Sequence, residues 1–176
     1  MTEHSQYGTT AKVLHWLVVA LLLAQYLIGW LMPDIHRGMK PGAAMTFHVS
    51  VGLFILLLIV LRFVWRLTHP VAPESSLPRW QRLSSEAVHW LLYALVLATT
   101  ATGWLFASFR GWSMQFFYLA PMPMLASENS AAGKAMDGWH QALEWTLLAV
   151  IALHVASALV HRFVYRDRIM QRMLPG

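Results

Sequence analysis

The chain contains no cysteine, and this absence excludes several kinds of redox centre. Disulfides, cysteine-ligated iron–sulfur clusters and the Cys-x-x-Cys-His attachment of c-type haem all require thiols. Charged residues are also scarce, at 12% of 176 residues, whereas a soluble domain carries about 25%. Histidine, in contrast, occurs 9 times. Any haem in this chain would therefore have to be held by side chains such as imidazole.

Apolar residues make up 57% of the sequence, and the mean hydropathy is +0.49. Four stretches have the length of about 20 residues that a hydrocarbon core of about 30 Å requires. They lie near residues 12–32, 46–66, 86–108 and 140–162. The first stretch lacks the cleavage site of a signal peptide, so we expect it to remain as a membrane span. The sequence predicts an all-α, integral membrane four-helix bundle that forms a single domain over residues 1–176.

Basic residues are distributed unequally between the two ends of these spans. If both termini are cytoplasmic, 9 of the 13 Lys and Arg residues lie on the inner side, and the outer side holds Arg37, Lys40, Arg110 and Lys134. Cytoplasmic loops of membrane proteins carry the excess of Lys and Arg. We therefore predict cytoplasmic termini and a location in a bacterial inner membrane. This topology explains the net charge of +5, so nucleic-acid binding is not expected.

Six histidines fall at or inside the ends of the predicted spans: His15, His48, His89, His140, His154 and His161. Ionisable residues inside a membrane are costly, and they usually face the bundle interior and have a function. His140 and His154 share one helical face and are about 21 Å apart, because 14 residues advance by about 1.5 Å each. This separation suits two cofactors stacked across a bilayer.

The histidines can be sorted by their depth in the membrane, and this sorting predicts axial ligands for two b-type haems. The outer haem is expected to bind His48 and His140, the two span histidines near that surface. The inner haem is expected to bind His154 with either His15 or His89, which depth alone does not separate. Two imidazoles occupy both axial positions of the iron, and this favours electron transfer over oxygen binding.

A spacing of 14 residues recurs in all four spans, as His15–Gly29, His48–Arg62, His89–Gly103 and His140–His154. Glycine on such a stripe would leave room for a flat macrocycle against the backbone, and Gly52 is expected to do the same at the outer level. Arg62 and Arg66 share a face with His48 but lie at the inner level. There they would pair with haem propionates or with anionic membrane lipid.

Two features of the outer side have alternative interpretations. Glu144 lies one turn after His140 and would either orient that histidine and tune the haem or extend to the outer interface, which we favour. The long connection over 109–139 either lies on the membrane surface or packs over the end of the bundle.

A haem-free proton or zinc transporter would also use membrane histidines. Such a transporter would normally need carboxylates among them, and Glu144 is the only acidic residue well inside a span. The scarcity of carboxylates therefore favours haem.

Several motifs resemble the bacterial cytochrome b561 family, and its superoxide oxidase members most closely. They are LHW at 14–16, FHVSVG at 47–52, LRFVWR at 61–66, WH at 139–140 and LHVASALVH at 153–161. The resemblance covers nearly the whole chain. It implies an outer haem on His48 and His140 and an inner haem on His15 and His154.

The resemblance also implies a ubiquinone site beside the inner haem. His89 and His161 match the remaining positions there and would relay protons from the cytoplasm. The implied activity is that of a superoxide:quinone oxidoreductase, which oxidises superoxide to oxygen on the periplasmic side and reduces ubiquinone near the cytoplasmic side. The alternative is a quinol-linked electron-transfer cytochrome b subunit that serves a periplasmic redox protein.

Overall fold

The apolar stretches form four long helices in the computed structural model, which describes residues 7–33, 39–71 and 77–174. The helices are α1 (Thr9–Leu31), α2 (Ala43–Thr68), α3 (Arg79–Phe109) and α4 (Ser130–Val160). Each is long and apolar enough to cross a membrane, which confirms the predicted all-α architecture. Because four crossings return the chain to its starting side, both ends of the described chain lie at the same end of the bundle.

Two helices begin well before the spans predicted from hydropathy. Helix α3 begins at Arg79 rather than near residue 86, and α4 begins at Ser130 rather than near residue 140. The additional turns are polar and therefore carry no hydropathy signal. Asn129 caps α4, since its side chain accepts a hydrogen bond from the Ala132 backbone N–H at 3.0 Å. At α4 the capping residue, rather than the end of the apolar run, therefore marks where the helix begins.

Helix α3 packs most extensively against α4, and α1 packs against α2. The buried residues at the centre of the bundle include Val18, Ile55, Tyr93, Val96 and Leu147. Many other apolar side chains remain exposed, and Leu23, for example, is 63% exposed. Helices that are apolar on all sides are expected where the surroundings are lipid.

The connection between α3 and α4 packs over the outer end of the bundle. Trp112, Met114 and Met122 are buried there against Met45 and Phe106. Of the two arrangements considered for residues 109–139, the structure therefore has the packed one.

Within this connection, strands β1 (Gln115–Phe116) and β2 (Ala120–Pro121) form a short antiparallel hairpin. At its tip Phe117 and Tyr118 have φ of 47° and 60°, a region that bulky residues rarely occupy. The fully buried Ser50 of α2 holds this turn, because its Oγ accepts a hydrogen bond from the Phe117 N–H at 2.8 Å. The hairpin is thus fixed two residues from His48.

The chain after α4 turns back towards α1. A π-helical turn over His161–Tyr165 ends at Arg166, whose φ of 53° is left-handed. The final segment reaches Met173, whose carbonyl accepts a hydrogen bond from the Trp16 indole N–H at 2.9 Å. This C-terminal segment covers the inner end of the bundle beside His15.

Candidate functional site

The structure brings the two predicted outer histidines together. His48 of α2 and His140 of α4 have ring centroids 6.2 Å apart, with their planes at 82°. The pairing of α2 with α4 could be anticipated only from depth, because these residues are 92 positions apart in the sequence.

The ring of His140 is oriented by the backbone of α3. Its Nδ1 lies 2.8 Å from the Thr99 carbonyl oxygen and donates a hydrogen bond to it. A histidine that ligates a metal almost always uses its other ring nitrogen in this way, which fixes the tautomer. The Nε2 of His140 is therefore left to bind a ligand.

At the inner level the structure places three histidines together rather than two. The ring of His154 on α4 lies 6.5 Å from that of His15 on α1 and 5.3 Å from that of His89 on α3. Depth alone could not separate His15 from His89 as partners of His154, and both are indeed close to it.

The centroid distances test whether these rings could hold a metal ion between them. An imidazole nitrogen binds a metal at about 2 Å and lies about 1.1 Å from its ring centre, so two axial rings need centroids roughly 6.2 Å apart. The His48–His140 and His15–His154 distances of 6.2 and 6.5 Å meet this requirement. The His89–His154 distance of 5.3 Å is too short. The spacing of these two pairs therefore suits an iron ion bound between two imidazoles, and His15 suits the inner pair better than His89.

Gly29 and Gly103 of the 14-residue pattern lie beside imidazole rings, and Gly52 lies beside an amide. A Cβ added at Gly103 would lie 2.8 Å from Cε1 of His140, and one at Gly29 would lie 3.5 Å from Cε1 of His48. A Cβ at Gly52 would lie 3.3 Å from the Gln25 side chain. Room for the macrocycle itself, the use predicted from the sequence, stays a prediction at these three positions. At Gly103 and Gly52 a side chain occupies space that a Cβ would need.

Arg62 and Arg66 lie at the inner level, as predicted from the sequence. Arg62 donates a hydrogen bond to the Ala11 carbonyl at 3.0 Å, and the guanidinium of Arg66 lies 5.3 Å from the centre of the Trp90 ring. Both arginines face a cavity of ≈ 220 Å³ at the inner end of the bundle. Its wall also includes His89, Tyr93, Trp65, His69 and Met173. The cavity is therefore lined by cationic and aromatic groups beside the inner histidines.

His89 and His161, the two histidines predicted for the quinone site, have different surroundings. His89 lines the cavity, whereas Nδ1 of His161 contacts a carboxylate oxygen of Asp167 at 2.5 Å.

On the outer side, Glu144 is half-buried, and its backbone carbonyl accepts a hydrogen bond from the Tyr26 hydroxyl at 2.7 Å. The outer residue Arg37 lies outside the described residues.

Three residues near the histidines carry no prediction from the sequence. Gln25 donates a hydrogen bond to the His48 carbonyl at 2.9 Å. An amide side chain inside an apolar span could have indicated this residue, since polar groups in spans usually have a function. Thr99 contributes its backbone carbonyl oxygen to the bond with His140, and Asp167 reaches His161 only because the chain reverses its direction. Neither feature leaves a periodic signal in the sequence.

Comparison with known proteins agrees with this architecture. A family model described as Prokaryotic cytochrome b561 matches residues 6–176. Cytochrome b561 homolog 2 of Escherichia coli (strain K12) is 26% identical over 173 residues, which cover 96% of this chain and 91% of that protein. Probable superoxide oxidase CybB of Yersinia pestis is 29% identical over 177 residues, which cover 98% of this chain and 97% of that protein. Cytochrome b562 of Cereibacter sphaeroides is 27% identical over 180 residues, which cover 99% of this chain and 98% of that protein. The chain therefore belongs to the prokaryotic cytochrome b561 family, as a multi-pass haem protein of the bacterial inner membrane that transfers electrons.

Proposed function

We propose that this protein is a superoxide:quinone oxidoreductase with two b-type haems. It would oxidise superoxide to oxygen on the periplasmic side and reduce ubiquinone near the cytoplasmic side. The observation that carries the proposal is the presence of two histidine pairs, with centroids 6.2 and 6.5 Å apart, at opposite ends of one bundle. The similarity to a protein named probable superoxide oxidase supports superoxide as the donor.

The residues proposed to hold the cofactors are His48 and His140 for the outer haem, and His15 and His154 for the inner haem. Bound haem would supply one-electron transfer between the two sides of the membrane. Gly29, Gly52 and Gly103 would serve the outer haem indirectly, since they admit the side chains that pack around it. Arg62 and Arg66 would pair with the acidic groups of the inner haem or with membrane lipid.

Electrostatics at the outer end would act on the approach of superoxide, which is an anion. Lys40, Arg110 and Lys134 are basic residues of this end, and positive charge there would raise the local concentration of superoxide. Glu128 and Asp137 oppose this effect. We therefore expect weak electrostatic steering, with a small dependence of the rate on ionic strength.

Reduction of ubiquinone would take place at the inner end, beside the cavity of ≈ 220 Å³. His89 and Tyr93 in its wall are the polar groups that would orient a quinone carbonyl, and Trp65 would cover the ring. His161 would deliver protons from the cytoplasmic side. The cations Arg62 and Arg66 would stabilise negative charge that develops on the reduced quinone.

Variants of the outer histidines test the proposal most sharply when oxidation and reduction are measured separately. The purified protein in detergent is reduced with superoxide from an enzymatic source, and ubiquinone is then added. The proposal expects His140→Ala to lose the response to superoxide, whereas Trp139→Phe, at the adjacent exposed position, keeps it. Equal responses of the His140→Ala variant and the wild type would contradict the proposed outer site.

A quinol-linked cytochrome that serves a periplasmic redox protein is the second candidate. The hairpin tip favours it, because Tyr118 and Leu119 are 56% and 83% exposed at the outer end. Exposed apolar side chains of this kind mark docking sites for other proteins or for membrane. The two candidates differ in whether they need a partner protein. The oxidase works when purified alone, whereas the carrier exchanges electrons at the outer side only with its partner.

A further inference from the structure

We infer that Asp167 is a positioning residue for proton delivery to the quinone-reducing end of the protein. The inference rests on the proposed reduction of ubiquinone. It assigns a role to a carboxylate outside the predicted spans, and it makes His161 and Asp167 a functional pair, the His161–Asp167 dyad.

The dyad is held by bonds at both carboxylate oxygens. Oδ2 of Asp167 lies 2.5 Å from Nδ1 of His161, and Oδ1 accepts a hydrogen bond from the Ile169 N–H at 3.0 Å. The side chain of His161 is 13% exposed and that of Asp167 is 26% exposed. Asp167 is thus the member nearer to water, and His161 is the member nearer to the interior.

The backbone takes an unusual path to form this contact. In a continuous α-helix, a residue 6 positions after His161 would lie about 120° away around the axis and about 9 Å further along it. The π-helical turn over His161–Tyr165 and the left-handed φ of 53° at Arg166 instead bring Asp167 back to His161. π-Helical turns are rare and frequently occur at functional sites. A residue other than glycine is strained in the left-handed region, and such strain persists only where the surroundings maintain it.

The dyad lies at the same end of the bundle as the inner site. His161 lies 7 residues after His154, on nearly the same face of α4 and about 10 Å closer to the inner end. The segment that begins at Asp167 continues to Met173, which lines the cavity beside His89 and accepts the Trp16 hydrogen bond. The ring of Trp16 in turn packs against His15, with centroids 5.5 Å apart.

This arrangement can move protons in the direction that quinone reduction requires. One quinone accepts two electrons and two protons to become one quinol; the proposed oxidation of superoxide supplies the electrons, and cytoplasmic water supplies the protons. Asp167 binds the Nδ1 side of His161, so it fixes the imidazole tautomer and leaves Nε2 as the nitrogen that can exchange a proton. A carboxylate that holds an imidazole in this way also stabilises the protonated ring.

Asp167→Asn tests the inference, because the amide keeps the size of the side chain but does not support a protonated imidazole. We would measure haem content and absorption spectrum first, then the kcat and KM for decylubiquinone with superoxide as donor, in H2O and D2O. We expect full haem content, a kcat that falls about tenfold or more, a KM within about twofold of wild type and a larger solvent isotope effect. Asp167→Glu should recover much of the kcat. Glu86→Gln, which removes an exposed carboxylate at the same end of the bundle, should behave as wild type.

Other results would overturn the inference. An Asp167→Asn variant with wild-type kcat and isotope effect, or one in which only KM changes, shows that the dyad does not serve proton delivery. If Asp167→Asn loses haem, His161→Asn is measured with the same expectations and the same refuting results. A wild-type protein that superoxide reduces but quinone never reoxidises refutes the proposed quinone reduction instead, so the two failures are distinguishable.

Discussion

Gly103→Ala should weaken the proposed outer haem site through contact between the new methyl group and the His140 ring. Gly103 lies on α3 opposite the His140 ring, and a Cβ there would be 2.8 Å from Cε1, 3.1 Å from Nδ1 and 3.5 Å from Nε2. Carbon atoms in ordinary contact are about 3.5–4.0 Å apart. The ring must therefore retreat by about 0.7 Å, and this movement also strains the bond from Nδ1 to the Thr99 carbonyl.

The size of the effect depends on this overlap. Overpacking of this kind costs about 1–3 kcal/mol. The His140 ring would have to return to its original place to bind haem, so most of this cost would reduce the free energy of haem binding. The affinity of the outer site should therefore fall about 5- to 150-fold. The fold itself should be little affected, because alanine in place of helical glycine contributes up to about 1 kcal/mol of stability in return.

The assay is the haem to protein ratio of the purified variant, combined with a redox titration monitored in the haem absorption bands. We expect one component of the titration to be lost or shifted and the other to stay. Gly138→Ala is a matched control, since the new Cβ would meet nothing within 4 Å there. Two haems with wild-type affinity and potentials in Gly103→Ala would refute the reasoning.

Three further predictions concern single side chains. His48→Ala should retain one haem and lose reduction by superoxide; a variant that keeps two low-spin haems would show that His48 is not a ligand. His161→Ala should keep both haems, because its ring is not in either pair, but its reoxidation by quinone should be slower; a haem content of one would make His161 a ligand. Ser50→Ala leaves the part-buried Phe117 N–H without its acceptor, and thermal unfolding should show that the free energy of unfolding falls by about 1 kcal/mol. An unchanged melting temperature would mean that the hairpin is held by other contacts.

The sequence predicts the helices and the histidine levels well because both depend on signals that accumulate over many residues. An apolar run of about 20 residues has few alternatives to a membrane helix. A 14-residue spacing fixes both the depth and the face of His140 and His154. Partners in space were harder to predict: His15 and His89 have similar depths, and only the three-dimensional packing gives His154 centroid distances of 6.5 and 5.3 Å to them.

The features that could not be predicted depend on local geometry without a periodic pattern. The contact between His161 and Asp167 requires a π-helical turn and a left-handed Arg166, neither of which has a sequence signature here. The hairpin tip places Phe117 and Tyr118 in conformations that favour glycine, so turn propensities argue against it. The orientation of a ring such as that of His140 also depends on packing, so the close approach of this ring to Gly103 could not be predicted from the sequence.

The central claim, that superoxide is the electron donor and quinone the acceptor, is tested most directly by one optical measurement. The oxidised protein in detergent is exposed to enzymatically generated superoxide, with and without superoxide dismutase, while the haem absorption bands are recorded. We predict rapid reduction that dismutase abolishes and that added ubiquinone reverses. Haem bands that respond to quinol or dithionite but not to superoxide would contradict the claim and favour a cytochrome that depends on a partner protein.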